Sequence, residues 1–484
     1  MIKIIKQAIG RVIHEQSHAN ALTDPITDVW ALQKPSLPAR FAMAISDFAS
    51  ALYEFGASGP KAYLDITGFN DEFSFTTKKH GLVGAIEIQG QYQMVEPEAF
   101  RQMVDTLELR WQSLLSQRGV TLDFVFLGGD KKLIHKQLSD AIAPNVATSR
   151  RFELGLESVL ESKVDKLSEY CAYEKAFLCV WVDPSVLSGA ELKSANQSLA
   201  KEGANAPFSA SHSIDLNGVA RQVESIHLTA LRQIATDLNA VGIVNDLVTC
   251  SRMLRELRLM IEPNNTDYQW QPSLPGQYRP TKKAHRGKLD VSHLFPPSLD
   301  TQLFPNGVGE NADTARIISI GNKLHSGVIV TRPCLTPTNF QELFDGLQQA
   351  AIPFRIRIML QGDGLSGTTL SLKSTLAKLF SWTDSTGTSN RAINSSLKYL
   401  RSYREDNGAI VGLSLVAETW IETRNSDAEH IRKQSEQLNM QVEKLTKVIQ
   451  SWGSMDTKQI SGDPLFTSMS TMPALTRAMP GEIA

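Results

Sequence analysis

LVGAIEI at residues 82–88 is a short apolar run that reads as a buried strand. What lies on either side of it sets the fold class. Downstream, a helix is expected from Pro97, a residue suited to the first helical position, with Phe100, Val104, Leu107, Trp111 and Leu115 on one face. VTLDFVFL at 120–127 is the return strand, which completes a strand-helix-strand unit. A long helix marked by Phe152, Leu156, Val159, Leu160, Val164 and Leu167 then leads to another strand, AFLCVWV at 176–182. Upstream, KAYLDIT and EFSFTT are short alternating stretches.

The same grammar returns later in the chain. ARIISI and SGVIV read as strands, and Thr336-Pro337 opens a helix with Phe340, Leu343, Phe344 and Leu347 inward. FRIRIML at 354–360 reads as a strand, helices are expected from about 368 and over 392–403, and AIVGLSLVAETW closes the set. The expected class is α/β (α+β): two ferredoxin-like-type strand-helix-strand modules, joined by a helical section and a proline-rich connector. The boundaries are a helical segment at 1–59, a first α/β module at 60–200, a helical section at 201–262, a connector at 263–312 and a second module at 313–425. Residues 263–305 hold 7 of the 21 prolines, which disfavours helix and sheet interior there. Residues 426–484 are expected to form an amphipathic helix and then a linker. In that helix Ile431, Leu438, Val442, Leu445, Ile449 and Trp452 recur at a spacing that suits a narrow seam. The seam is either an oligomer contact or a connector helix packed on its own domain.

Composition removes several classes of function. With 484 residues, 42% hydrophobic and 21% charged, the chain can bury more than one core and is not a disordered or fibrous protein. Lys plus Arg total 49 against 51 for Asp plus Glu, so no global field draws it to nucleic acid or anionic lipid. Cys171, Cys179, Cys250 and Cys334 are widely spaced, which supports neither a disulfide framework nor a cysteine zinc site. No run of about 18 apolar residues suggests a membrane span. The basic, apolar start MIKIIKQAIGRVI lacks signal-peptide architecture but has the spacing of an amphipathic helix.

Three local patterns could carry chemistry. His14-Glu15-Gln16-Ser17-His18 matches HExxH, which sets two imidazoles on one helix face for zinc beside a carboxylate base. Ala21 and Asp24 stand where the glycine and third histidine of the close-spaced form would be, leaving Glu72 and Glu98 as the candidate third ligands. Gly362-Asp-Gly-Leu-Ser-Gly367-Thr368-Thr369 follows a strand, the context of a phosphate-binding loop, but Thr368 holds the place of the essential lysine. Arg279, Lys282, Lys283, Arg286 and Lys288 form a basic cluster, read as a solvated loop or as a contact for phosphates. These leave two alternative functions, an HExxH zinc metalloenzyme and a nucleic-acid-binding adaptor working through 279–288.

WQPSLPG at 270–276, the strand entry Pro353-Phe354-Arg355, and the tail GDPLFTSMSTMPALTRAMPG together resemble one family. It is the IcmB/DotO and TraU group of type IVB secretion and conjugation ATPases, relatives of the fourth VirB protein. The likeness is of word order over residues ~60 to 484. It implies a docking and oligomerisation region that precedes a RecA-like ATPase domain, with ATP and Mg expected only in that following domain. No GxxxxGK[ST] occurs in the chain, so no catalytic, cofactor or metal residue is carried over from the family. The partners implied are inner-membrane components of the channel and further ATPase subunits, at the cytoplasmic face of the inner membrane; nucleic acid is not expected. Arg279, Lys282, Lys283, Arg286, Lys288, Ile431, Leu438, Val442 and Leu445 are the candidate interaction surfaces.

Overall fold

The computed structural model describes residues 59–92, 94–129, 131–171, 173–194, 197, 218–263, 270–273, 298–310, 316–332, 340–362, 411–423 and 428–480. The first half of the chain contains helix α1 (Pro60–Tyr63), strands β1 (Ile66–Phe69), β2 (Ser74–Thr77) and β3 (Leu82–Gly90), then α2 (Pro97–Leu115) and β4 (Val120–Gly128). It continues through the hairpin α3 (Lys131–Arg151) and α4 (Glu157–Tyr170), then β5 (Glu174–Val182), α5 (Gly218–Ala240), β6 (Val244–Val248) and α6 (Cys250–Ile261). The second half contains α7 (Leu299–Leu303), β7 (Val308–Glu310), β8 (Ile318–Ile320), β9 (Lys323–Arg332), α8 (Phe340–Ala350) and β10 (Phe354–Gln361). It ends with β11 (Gly412–Glu422), α9 (Ala428–Ser451), β12 (Asp456–Gln459) and α10 (Pro464–Thr471).

All the strands join one 12-stranded sheet in the order β1-β2-β3-β5-β4-β10-β11-β9-β8-β7, with β6 beside β3 and β12 beside β9. Every pairing is antiparallel. The order is palindromic. In the first half β6-β3-β5-β4 is the order of the core strands, and in the second it is β12-β9-β11-β10. The halves meet where β4 pairs with β10, Phe124 standing opposite Ile358 near the middle of the register. The echo in word order is therefore an echo in topology.

Three layers result. On one face α2 and α5 cover the first half, burying Leu82, Ile86, Leu122 and Leu178, while α8 and α9 cover the second, burying Ile356, Ile358, Leu415 and Ala417. On the opposite face α6, α7 and α10 close over Phe75, Val83, Phe177 and Trp181. Gly84, at the centre of LVGAIEI, is there for space: a Cβ would sit 2.9 Å from both the Phe73 carbonyl and a Leu231 methyl, and 3.1 Å from the His227 ring.

Several sequence expectations change. Val244–Val248 is a strand within the section read as helical, and the turn at Gly242 (φ +83°) that precedes it needs glycine's freedom. Residues 456–480 are not a linker: β12 pairs with β9, and Met469, Met472, Leu475 and Met479 are buried. α2 packs through buried Trp111 and Leu114 and partly buried Leu107 and Leu115, while Phe100 and Val104 at its start stay exposed. The expected helix over 152–167 starts only at Glu157, and Val164 is its buried residue. The helices expected from 368 and over 392–403 lie outside the described residues.

Candidate functional site

FRIRIML alternates apolar and basic residues, a pattern that normally marks a half-exposed strand. In this fold both faces are covered. Arg355 and Arg357 are 1% and 0% exposed, pointing at α10. Arg355 donates through Nε to Thr471 Oγ1 at 2.8 Å, pairs with Glu418 of β11, and reaches the Ser468 carbonyl at 3.3 Å. Arg357 donates to the Ser470 carbonyl at 2.7 Å and to Asp123 Oδ2 of β4 at 2.6 Å. Carbonyls in the last turn of a helix lack intrahelical donors and carry the negative end of its dipole, so two guanidinium groups are apt partners for them. Asp463 caps the other end of α10 by accepting from the Phe466 amide at 2.9 Å, with Pro464 at the first helical position.

The rest of this ionic layer is contributed by β9. His325 Nδ1 lies 3.2 Å from Glu418 Oε1, and the Lys323 ammonium sits 5.2 Å from the centre of the Trp420 ring. Burial alone would raise the Glu418 carboxyl, but the Arg355 guanidinium and then His325 outweigh it and hold it below the usual carboxylate range. Burial keeps His325 below the ordinary imidazole value despite Glu418. Asp123 ends above the carboxylate range: burial dominates, and Arg357 and Trp181 both address Oδ2 while Oδ1 finds no partner among the described residues. The layer fastens the C-terminal segment to the sheet. It is a clamp between elements.

The surface feature that stands out is the α3–α4 hairpin. Phe152, Leu154, Leu156 and Val159 crowd its turn at 64, 56, 46 and 63% exposure, and Tyr170 at the far end of α4 is 84% exposed. Val159, Leu167 and Tyr170 fall on one stripe of α4 by the 3.6-residue period. The turn itself is well held: Ser149 Oγ donates to Glu157 Oε1 at 2.8 Å and accepts from the Leu156 amide at 3.0 Å. The turn is thus held in place while its apolar side chains stay exposed.

The structure places the sequence-derived candidates as follows. Leu438, Val442 and Leu445 are buried with Ile449 and Trp452 against the second half of the sheet, and Ile431 is half-buried. The seam of α9 therefore packs on its own domain, and its residues are not an exposed oligomer contact; the apolar spacing is satisfied by β9, β11 and α8. Arg279, Lys282, Lys283, Arg286 and Lys288 lie outside the described residues, as do His14, Glu15, His18 and the loop after Gly362. Glu72 and Glu98 are exposed at different places, before β2 and at the start of α2. No three or more His, Cys, Asp and Glu side chains are grouped to hold a metal among the described residues. Cys171, Cys179 and Cys250 are free thiols. No helix among the described residues is long and apolar enough to cross a membrane. The hairpin surface was hidden because helical spacing marks which residues share a face, and says nothing about whether that face is covered.

No family model matches the chain, and no curated protein matches it.

Proposed function

We propose that this chain is the N-terminal docking and oligomerisation region of a cytoplasmic ATPase from a type IVB-like secretion or conjugative transfer system, and that it does not hydrolyse ATP itself. The observation that carries the reading is the α3–α4 hairpin with Phe152, Leu154, Leu156, Val159 and Tyr170 exposed. Its occupant is an inner-membrane component of the channel, which places the region peripherally at that membrane. Each half is read as a ferredoxin-like-type unit, supported by the strand order β6-β3-β5-β4 and its counterpart β12-β9-β11-β10.

The test is site-specific photocrosslinking in cells carrying a conjugation apparatus, with the photoreactive residue at Val159 and, as a control, at exposed Lys447 of α9. Adducts to an inner-membrane channel subunit from position 159 alone are expected, and Leu154→Asp in the same chain removes them. Equal labelling from both positions, or none, refutes the docking surface. Purified chain that hydrolysed ATP at a motor enzyme's rate would overturn the non-catalytic assignment.

A further inference from the structure

Two hollows lie at opposite ends of the β4–β10 pair. One is bounded by the start of β9, the start of β10 and the ends of β4 and β11, is also lined by Leu133, Tyr173 and Met260, and holds only about 10 Å³. Its counterpart is bounded by the β2–β3 turn, the turn into β4 and the ends of β5 and β10. It stays open, at about 630 Å³. That is within the range of small-molecule sites, roughly 300–1,000 Å³.

The walls of the open cleft are fixed by close backbone packing. A Cβ on Gly81 would stand 2.7 Å from the Val182 carbonyl, and one on Gly119 would stand 2.8 Å from Asp183 Oδ1. Its charges divide into spent and unspent. Asp183 pairs with Arg477 and accepts from the Ser185 amide at 2.7 Å; Asp65 accepts from the Arg477 amide at 2.7 Å and from Thr476 Oγ1 at 3.1 Å. Arg477 also donates to Thr121 Oγ1 at 3.0 Å. Burial would raise the Asp183 carboxyl, but Arg477 and Ser185 outweigh it and keep it ionised below the usual range. Lys79 and Arg118 line the same cleft, are exposed, and have no acceptor among the described residues.

We propose that this cleft binds a soluble phosphomonoester of about mononucleotide size, with Lys79 and Arg118 neutralising its two negative charges. A dianion matches two uncompensated cations, Arg offers a fork to the phosphate oxygens, and the volume leaves room for a body beyond the phosphate beside Pro184. The cleft lies at the opposite end of β4 from the α3–α4 hairpin, so this site and the docking surface stand or fall separately.

Isothermal titration of the purified full chain with AMP tests it, with inorganic phosphate as competitor. One-site binding is expected, weakened about tenfold by Arg118→Glu and further by Lys79→Glu with Arg118→Glu, and unaffected by Lys447→Glu. Both altered side chains are exposed, and thermal melts without ligand verify that the variants keep the parent's stability. No heat with AMP up to about 10 mM, or equal affinity in the cleft variants, overturns the proposal. Binding to phosphatidate vesicles without binding to AMP overturns it too, since it would assign the cations to a lipid surface.

Discussion

His227 shows how one buried residue records the pH at which this fold is safe. Its Nε2 faces the Val180 carbonyl at 3.1 Å, which can only accept, so Nε2 carries the proton and Nδ1 accepts from Ser74 Oγ at 3.2 Å. Burial pushes its pKa down to about 4 from 6.5. The unfolded chain therefore binds a proton that the native chain refuses, and stability falls as pH drops from about 6.5 to 4, by about 3 kcal/mol. Urea denaturation at both ends of that window checks this: His227→Gln, whose amide can replace both hydrogen bonds, should flatten the slope, and an unchanged slope refutes the assignment. Glu418 titrates in the same sense over a lower window, its lowered pKa giving stability that is lost as pH falls through and below the ordinary carboxylate range. Glu418→Gln leaves Arg355 charged and buried, and a loss of about 3–5 kcal/mol is expected in the same assay. Replacing both, Arg355→Met with Glu418→Leu, should recover most of that loss; a double variant as weak as the single one would show that the pair is stabilising in its own right.

At the scale of elements, α9 is where a periodic pattern and its meaning part company. The sequence spaces Leu438, Val442, Leu445 and Ile449 correctly for a seam, and the structure buries all four inside the chain. Leu445→Ala should therefore cost about 2–5 kcal/mol in denaturation while leaving the sedimentation coefficient of the folded chain unchanged. Dissociation of an oligomer at unchanged stability would restore the seam to a partner helix. α10 carries the reverse lesson: Gly462-Asp463-Pro464 holds a capping residue and a first-turn proline, yet the short, small-residue run after it lacks a helical period. β3, β4, β5, β10 and β11 were legible because continuous apolar or alternating runs have few other uses. β6 was not, since Asn245 and Asp246 interrupt it and only pairing with β3 makes it a strand. Nor could spacing show the open cleft, whose lining comes from six separate segments of the chain.

Across the whole molecule, the two modules that the sequence separates are one body. β4 and β10 share a continuous ladder from Gly128–Phe354 to Thr121–Gln361, and Phe124 and Phe126 of the first half pack into the second half's core. The C-terminal segment crosses the boundary as well. Leu465, Met469 and Leu475 belong to the same cluster as Phe75, Val83 and Trp181, and Arg477 reaches Asp183. Neither half can lose its structure without uncovering apolar area and buried charge in the other, which couples their unfolding. Calorimetry should therefore show one heat-absorption peak whose calorimetric and van't Hoff enthalpies agree. Leu231→Ala on α5 and Leu445→Ala on α9, in opposite halves, should each lower that single midpoint. Two peaks, with each substitution moving only the peak of its own half, would mean that the shared ladder and the crossing segment bind independent domains too weakly to couple them.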